Sequence, residues 1–279
     1  MVSNCLVNVP AGSAGAGANG QKVNTAGGTT MSSYADLILP AGSTIVKAYL
    51  YVEQFSTSTI SSIKFRVPGG AYTTLNSGSA GFIASRISGS EAQFIIDVTS
   101  MIPANGYISF VTPGGDPSAA GRYSVADITT FSASNYGCGW AMYVVYTNPA
   151  SKYRNVTIAD VDLTFGGTPC GGLFGPCNTT FNVGGISVPS SGPVNAVVGF
   201  TGTYGDRGLN DNVQFGKMGG ALTNLSDPTT GTSTDLYNST IGFCAQNNVS
   251  ADGGPAMAGN FTARNPYNTF TNPNGAGNI

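Results

Sequence analysis

Glutamate occurs only twice in this 279-residue chain, at Glu53 and Glu91, and lysine five times. Helical proteins rely on these residues on their exposed helix faces, so an all-α fold is ruled out. In their place stand 40 Gly, 28 Ser, 29 Thr and 24 Asn, 121 residues of the 279, far above ordinary usage. Even so, 41% of the chain is hydrophobic and 28 residues are aromatic. This apolar material lies in blocks of alternating polarity, which a disordered low-complexity chain does not carry. The chain folds, and it folds as β.

Histidine is absent. Its absence removes serine and cysteine triads with a His base, His-ligated zinc and the commonest general acid/base. Most familiar enzymes are excluded with them, and no catalytic residue is expected. A net charge of -2 gives no basic footprint, so nucleic acid and anionic membrane surfaces are not expected partners. No window holds 18 consecutive apolar residues, so no membrane-inserting helix is expected. The opening MVSNCLVNVP lacks the basic and apolar regions of a signal peptide, so a secreted form is expected to be a mature or recombinant one.

Residues 1–30 read as a Gly/Ala-rich N-terminal arm, and the stretch AGSAGAGANGQKVNTAGG (11–28) is expected to be flexible on composition alone. Residues 31–279 read as one β-sandwich domain with a Gly/Asn-rich loop region after about residue 166. In the segment 44–55, Val46, Ala48, Leu50 and Val52 alternate with Lys47, Tyr49, Tyr51 and Glu53, which places the first set on a core face. Further strands are expected at 35–39, 62–67, 71–75, 93–98, 107–112 and 123–130, punctuated by PGG, NSGS, PANG and TPGGDPS. DVTSMI (97–102) reads as a short helical turn capped by Asp97.

WAMYVVY (140–146) is apolar on both faces and is expected to be a central strand covered on each side. After the turn NPASKYR, a second strand NVTIADVDLTF (155–165) is expected to form a hairpin with it. Strands are also expected at 181–188 and 194–202, with regular structure fading from about Gly216. No repeat of fixed period is present, which disfavours solenoids and propellers. The expected fold is all-β, a loop-rich β-sandwich or jelly-roll-like domain.

The motifs VKAYLYVE (46–53), FIIDVTSMI (94–102), GWAMYVVYTNPASKYRNVTIADVDLTF (139–165), TYGDRGLNDNVQFG (203–216) and YNSTIG (237–242) together resemble the β-rich N-terminal domain of large secreted and cell-surface proteins of bacteria and archaea, adhesin-like and often repeat-bearing. The resemblance covers roughly residues 40–245. It implies a surface-exposed, non-enzymatic structural or adhesive role. This chain has VEQFS where that family carries an aromatic-Gly pair, and the family's further strands past the NST motif are not legible here. A piece of a longer protein would account for this, as would a sheet completed by a donated strand, which would give the apolar CLVNV (5–9) a role.

Five cysteines occur. Cys170 and Cys177, in the loop CGGLFGPC, suit a disulfide. Cys138 and Cys244 are a candidate pair, either of them an alternative partner for Cys5, and Cys5 is the candidate intermolecular thiol or a small buried hydrophobe. The six N-x-S/T sequons are uninformative, since about five are expected by chance at this composition. Asp206, Asn210, Asp211 and Asn212 gather in GDRGLNDNVQF as oxygen ligands for structural calcium, or else as caps of their own turns. Asp160 and Asp162, two apart on an expected strand, are the available carboxylate pair and read more simply as a solvated strand face. Lys47 is a candidate for an isopeptide with Asn or Asp. Tyr49 and Tyr51 are expected on the outward face, to stack on sugars or contact a subunit unless a second layer covers them.

These readings converge on an extracellular, cell-surface structural protein that assembles with copies of itself into a fibre, sheath or layer through β-strand contacts. The alternative is a monomeric adhesin module that binds a surface glycan or a protein through its loops. No cofactor is expected beyond the candidate calcium.

Overall fold

The computed structural model describes residues 2–5, 14–16, 22–24, 29, 32–37, 39, 42–88, 91–103, 122–129, 138–151, 154–161, 180–186, 194–205, 212–225, 241–242 and 260–272. The protein is all-β, and its longest alternating segment organises it. Strand β5 (Thr44–Phe55) pairs antiparallel with β11 (Cys138–Thr147) through ten residue pairs. On its other side β5 takes β9 (Glu91–Asp97), and β9 takes β8 (Phe82–Ser88). Beyond β11 lies β1 (Val2–Cys5), so the central sheet runs β1-β11-β5-β9-β8.

A second antiparallel sheet orders β4 (Ser32–Asp36), β10 (Arg122–Ala126), β6 (Ser62–Arg66) and β7 (Thr73–Asn76) as β4-β10-β6-β7. Ala48, Leu50, Val52, Phe94, Ile96, Trp140 and Met142 from the central sheet join Ile63, Phe65, Leu75, Tyr123 and Val125 from the second in one buried cluster. Phe65 and Tyr123 stack across adjacent strands with centroids 6.2 Å apart. Two sheets sharing one apolar layer is the sandwich arrangement that the period-2 pattern implies.

A third sheet places β16 (Asn260–Asn272) between β12 (Val194–Gly205) and β15 (Ile241–Gly242), β12 antiparallel and β15 parallel to it. Strands β12 and β16 lie against β5 and β11. Tyr51, Ile95 and Ala141 are buried but stand outside the shared core cluster. The central sheet is thus covered over part of each face, as the doubly apolar run 140–146 requires.

Turn chemistry follows the residues. Residues 67–70 close β6 onto β7 with Pro68 second, Gly69 third at φ +71°, and the Gly70 N–H donating to the Val67 carbonyl at 3.1 Å. This is the proline-glycine signature of a type II turn. Asp97 accepts the Thr99 N–H at 2.9 Å at the start of the 3₁₀ turn Thr99–Met101.

Several expectations are corrected. Val46 is 47% exposed, while Ile45 is buried beside Ala48. The register steps from Val145↔Lys47 to Tyr146↔Ile45, so Val46 is the extra residue of a β-bulge. Tyr51, expected outside, is 8% exposed. Residues 154–161 form no strand, and Val156 is 59% exposed. Along Gly139–Met142 both edges of β11 are taken, by β5 and β1, so the far half of the expected hairpin has no place there. Residues 180–186 are irregular too, with Gly185 at φ +79° interrupting the alternation.

Regular structure does not fade at Gly216. A tight hairpin joins β13 (Gln214–Gly216) to β14 (Leu222–Asn224), and β16 spans 13 residues. Its Pro266 falls where the register shifts between Val198↔Asn268 and Phe200↔Arg264, a bulge that demands no ladder N–H. Within the Gly/Ala arm, β2 (Ala14–Ala16) pairs antiparallel with β3 (Lys22–Asn24). Strand β8 had no counterpart in the expected set, and the expected strand at 107–112 lies outside the described residues.

Gly81 offers a test of this packing. Its φ is +83°, and a Cβ there would overlap the carbonyl oxygen of Asp97, while its own carbonyl accepts the Asp97 N–H at 2.8 Å. Gly81→Ala is expected to lose about 2 kcal/mol or more in denaturant unfolding. Gly69→Ala, at positive φ but in open space, should lose only about 1 kcal/mol. Equal losses would refute the steric account.

Candidate functional site

Two parts of the central sheet stand out. The first is the edge formed by β1. Its register runs Val2↔Met142, Ser3↔Ala141, Asn4↔Trp140 and Cys5↔Gly139, and Trp140, Ala141 and Met142 are wholly buried. Strand β1 therefore satisfies the backbone edge of the most buried stretch of β11, where unpaired N–H and C=O groups would be costly. Each ladder bond contributes about 1 kcal/mol net, against roughly 1–2 kcal/mol per residue to order the backbone, so the pairing to β11 alone is close to balance, and β1 also lies against β4 and β16.

The second is a polar row across three strands. The ladder sets Glu53 opposite Gln93 and Gln93 opposite Arg86. The Gln93 amide donates to Glu53 Oε1 at 2.8 Å, and Arg86 donates to Gln93 Oε1 through Nε at 2.9 Å. Arg86 also pairs with Asp160 Oδ1 at 2.5 Å. This ion pair fastens the irregular segment 154–161 to the sheet. Tyr51 lies beside the row and meets Tyr143 edge to face, with centroids 5.2 Å apart.

Electrostatics in this row follow from burial. Desolvation pushes the Glu53 carboxyl above its ordinary value, with the Asp160 carboxylate acting in the same direction and the Gln93 hydrogen bond and Arg86 opposing. Burial, assisted by Asp160, pushes the Tyr51 phenol up to about 12. Two carboxylates share one guanidinium, so protonating Glu53 relieves the excess negative charge. The four polar groups engage one another and cross-link β5, β9, β8 and the segment behind them.

The other expected site residues are scattered. Asp160 is on an irregular segment rather than a strand, and Asp162 lies outside the described residues. So do Asp206, Asn210 and Asp211 of the candidate calcium loop, while Asn212 is exposed just before β13. Among the described residues no group of three or more acidic or cysteine ligands is gathered. Cys170, Cys177 and Cys244 lie outside the described residues. Cys5 and Cys138 sit on adjacent strands one residue out of register, Cys5 facing Gly139 across the ladder.

Lys47 forms an exposed ion pair with Asp97 at 2.9 Å. The hydrogen bond and charge of Asp97 raise the Lys47 pKa. Burial works against ionisation of Asp97, but hydrogen bonds from Thr99 and Lys47 prevail and hold it below its ordinary value. A charged ammonium is not a nucleophile, so this geometry does not favour an isopeptide at Lys47. Tyr49 is half-buried, with the Lys47 ammonium 6.0 Å from its ring centroid.

Sequence reading missed the Glu53–Gln93–Arg86 row because it depends on β8. Once FIASRIS is read as a strand, the register between β8 and β9 brings the three side chains together. Compared with protein-family models, with curated proteins and with solved structures, the chain matches none.

The raised Glu53 value has a pH consequence. The folded state holds this proton more tightly than the unfolded chain, whose ordinary value is 4.5. The corresponding stability is fully present below that pH and is lost as pH rises through the folded pKa. Glu53→Gln keeps an acceptor for Gln93, so thermal unfolding should show it more stable than wild type at pH 8 and equal to it at pH 4. Parallel pH profiles for the two proteins would rule out a desolvated Glu53.

Proposed function

We propose that the chain is an extracellular structural subunit that assembles with copies of itself into a fibre, sheath or surface layer through β-strand contacts. The observation that carries this reading is the edge of the central sheet: a short strand from the far N-terminus supplies the last rung beside the most apolar strand of the fold. Strand addition at a sheet edge joins chains through main-chain hydrogen bonds with little demand on side chains.

Composition supports the same reading. With 11 basic and 13 acidic residues in 279, little repulsion opposes association. Val46, Ile83, Ile87 and Tyr146 are exposed apolar positions on strands of the central sheet, available to be covered on assembly. The extracellular assignment rests on the scarcity of Lys and Glu, the abundance of Thr, Asn, Gly and Tyr, and the cysteine-bracketed loop CGGLFGPC. The likeness to cell-surface N-terminal domains points the same way.

Negative-stain imaging and light scattering of the purified chain, with and without calcium and with and without reductant, test the proposal. Ordered filaments or sheets are expected. A calcium requirement would implicate the 206–212 loop, and dissolution by reductant would implicate Cys5. A monomer under all four conditions would exclude a self-assembling subunit and favour the monomeric adhesin.

A further inference from the structure

We propose that β1 is an exchange strand: in the assembled state, β1 of one copy occupies the place beside β11 of the next, so that each subunit gives one strand and receives one. This rests on the assembly reading above and names its partner, a second copy of the same chain.

Three observations carry it. First, the place beside β11 is defined by backbone register against Gly139–Met142. A second copy's β1 has the identical sequence and reproduces that register, so exchange changes which chain supplies the strand and leaves the ladder as it was. Second, β1 is joined to the rest of the fold by a short connector. Residues 6–13 (LVNVPAGS) join it to β2, and β3 in turn lies against β4 of the second sheet. An eight-residue connector spans at most roughly 26–29 Å, enough to reach a neighbour in contact and too short to reach past one.

Third, baring the receiving edge is costly. Trp140, Ala141 and Met142 are at 0% exposure, so a departing β1 would leave buried backbone unpaired unless another strand replaced it. A short strand over an edge that requires a strand is an arrangement that can swap. The contact is head to tail, the donor surface differing from the acceptor surface, and it propagates into open chains where the rotation between neighbours closes no ring.

The test uses full-length chains. Successive N–H groups along a strand point alternately toward and away from the neighbour, so Ser3→Pro with Asn4→Pro removes a ladder donor whichever residue holds it. This double variant cannot donate its strand, but its β11 edge is intact and still accepts one. Light scattering should show assemblies for wild type and the mass of one chain for the variant. In an equimolar mixture every chain ends at one non-donor, so the mean should fall to about two subunits.

Emission from Trp140, the lone tryptophan, reports whether the variant remains folded. A second variant avoids that question: about six Gly/Ser residues inserted between Val9 and Pro10 leave strand and edge unchanged while relaxing the connector. It should shift assembly toward monomer by about tenfold in concentration. Wild-type assemblies matched by either variant would overturn strand exchange while leaving self-assembly standing. A monomeric wild type would overturn both.

Discussion

The antiparallel ladder between β5 and β11 is the constraint on which the rest of the structure depends. Ten residue pairs tie together segments about ninety positions apart in sequence, and the closure entropy of so long a loop must be offset by what the pair then buries. It is offset on both faces. One side carries Ala48, Leu50, Val52, Trp140 and Met142 into the core shared with the second sheet, while Tyr51 and Ala141 are buried on the other. The rest of the central sheet is placed by these two strands: β9 and β8 extend from β5, and β1 extends from β11.

How far this was legible in sequence depends on how local the determining interaction is. Period-2 alternation identified β5, β6 and β9 and the apolar run of β11 because one buried face imposes it residue by residue. The turn at 67–70 was legible because proline and glycine act within four residues. Strand β8 was not, since its bulge between Phe82 and Ala84 breaks the alternation and its ASRIS segment has little β-propensity. Strand β16 was hidden by its Asn residues and an internal proline that a bulge accommodates. Residues 155–165 carry a strand-like pattern, yet residues 154–161 join no ladder, and β1 rather than this segment pairs with Gly139–Met142.

The same distinction separates the parts of the candidate site. Glu53, Gln93 and Arg86 come from three strands, and no spacing along the chain connects them. Their meeting is a consequence of two registers. The row shows how a chain with so few charges uses them. Lys47 pairs with Asp97, Lys64 with Asp127 and Arg86 with Asp160, so in each pair a basic residue joins one segment to another. Exposed pairs of this kind add little stability individually. Their effect is to fix which segment lies where, and Asp160 does this for a stretch that has no ladder.

Natural sheets guard their edges with charge, proline, bulges or cover, because an unguarded edge recruits another chain. Charge is scarce here, and the two edges of the central sheet are treated differently. At β8 the bulge between Phe82 and Ala84 interrupts the ladder, which blunts that edge against further pairing. At β11 the guard is a strand borrowed from the far N-terminus, and it stands over the stretch that tolerates exposure least. A guard made of bulges and charges refuses every chain alike. A guard made of a strand does not, because whatever geometry admits the chain's own β1 also admits an identical β1 from a neighbour. The edge that most needs protection is therefore the one proposed to join two molecules, and in that proposal the choice between self-closure and assembly reduces to the connector and the concentration.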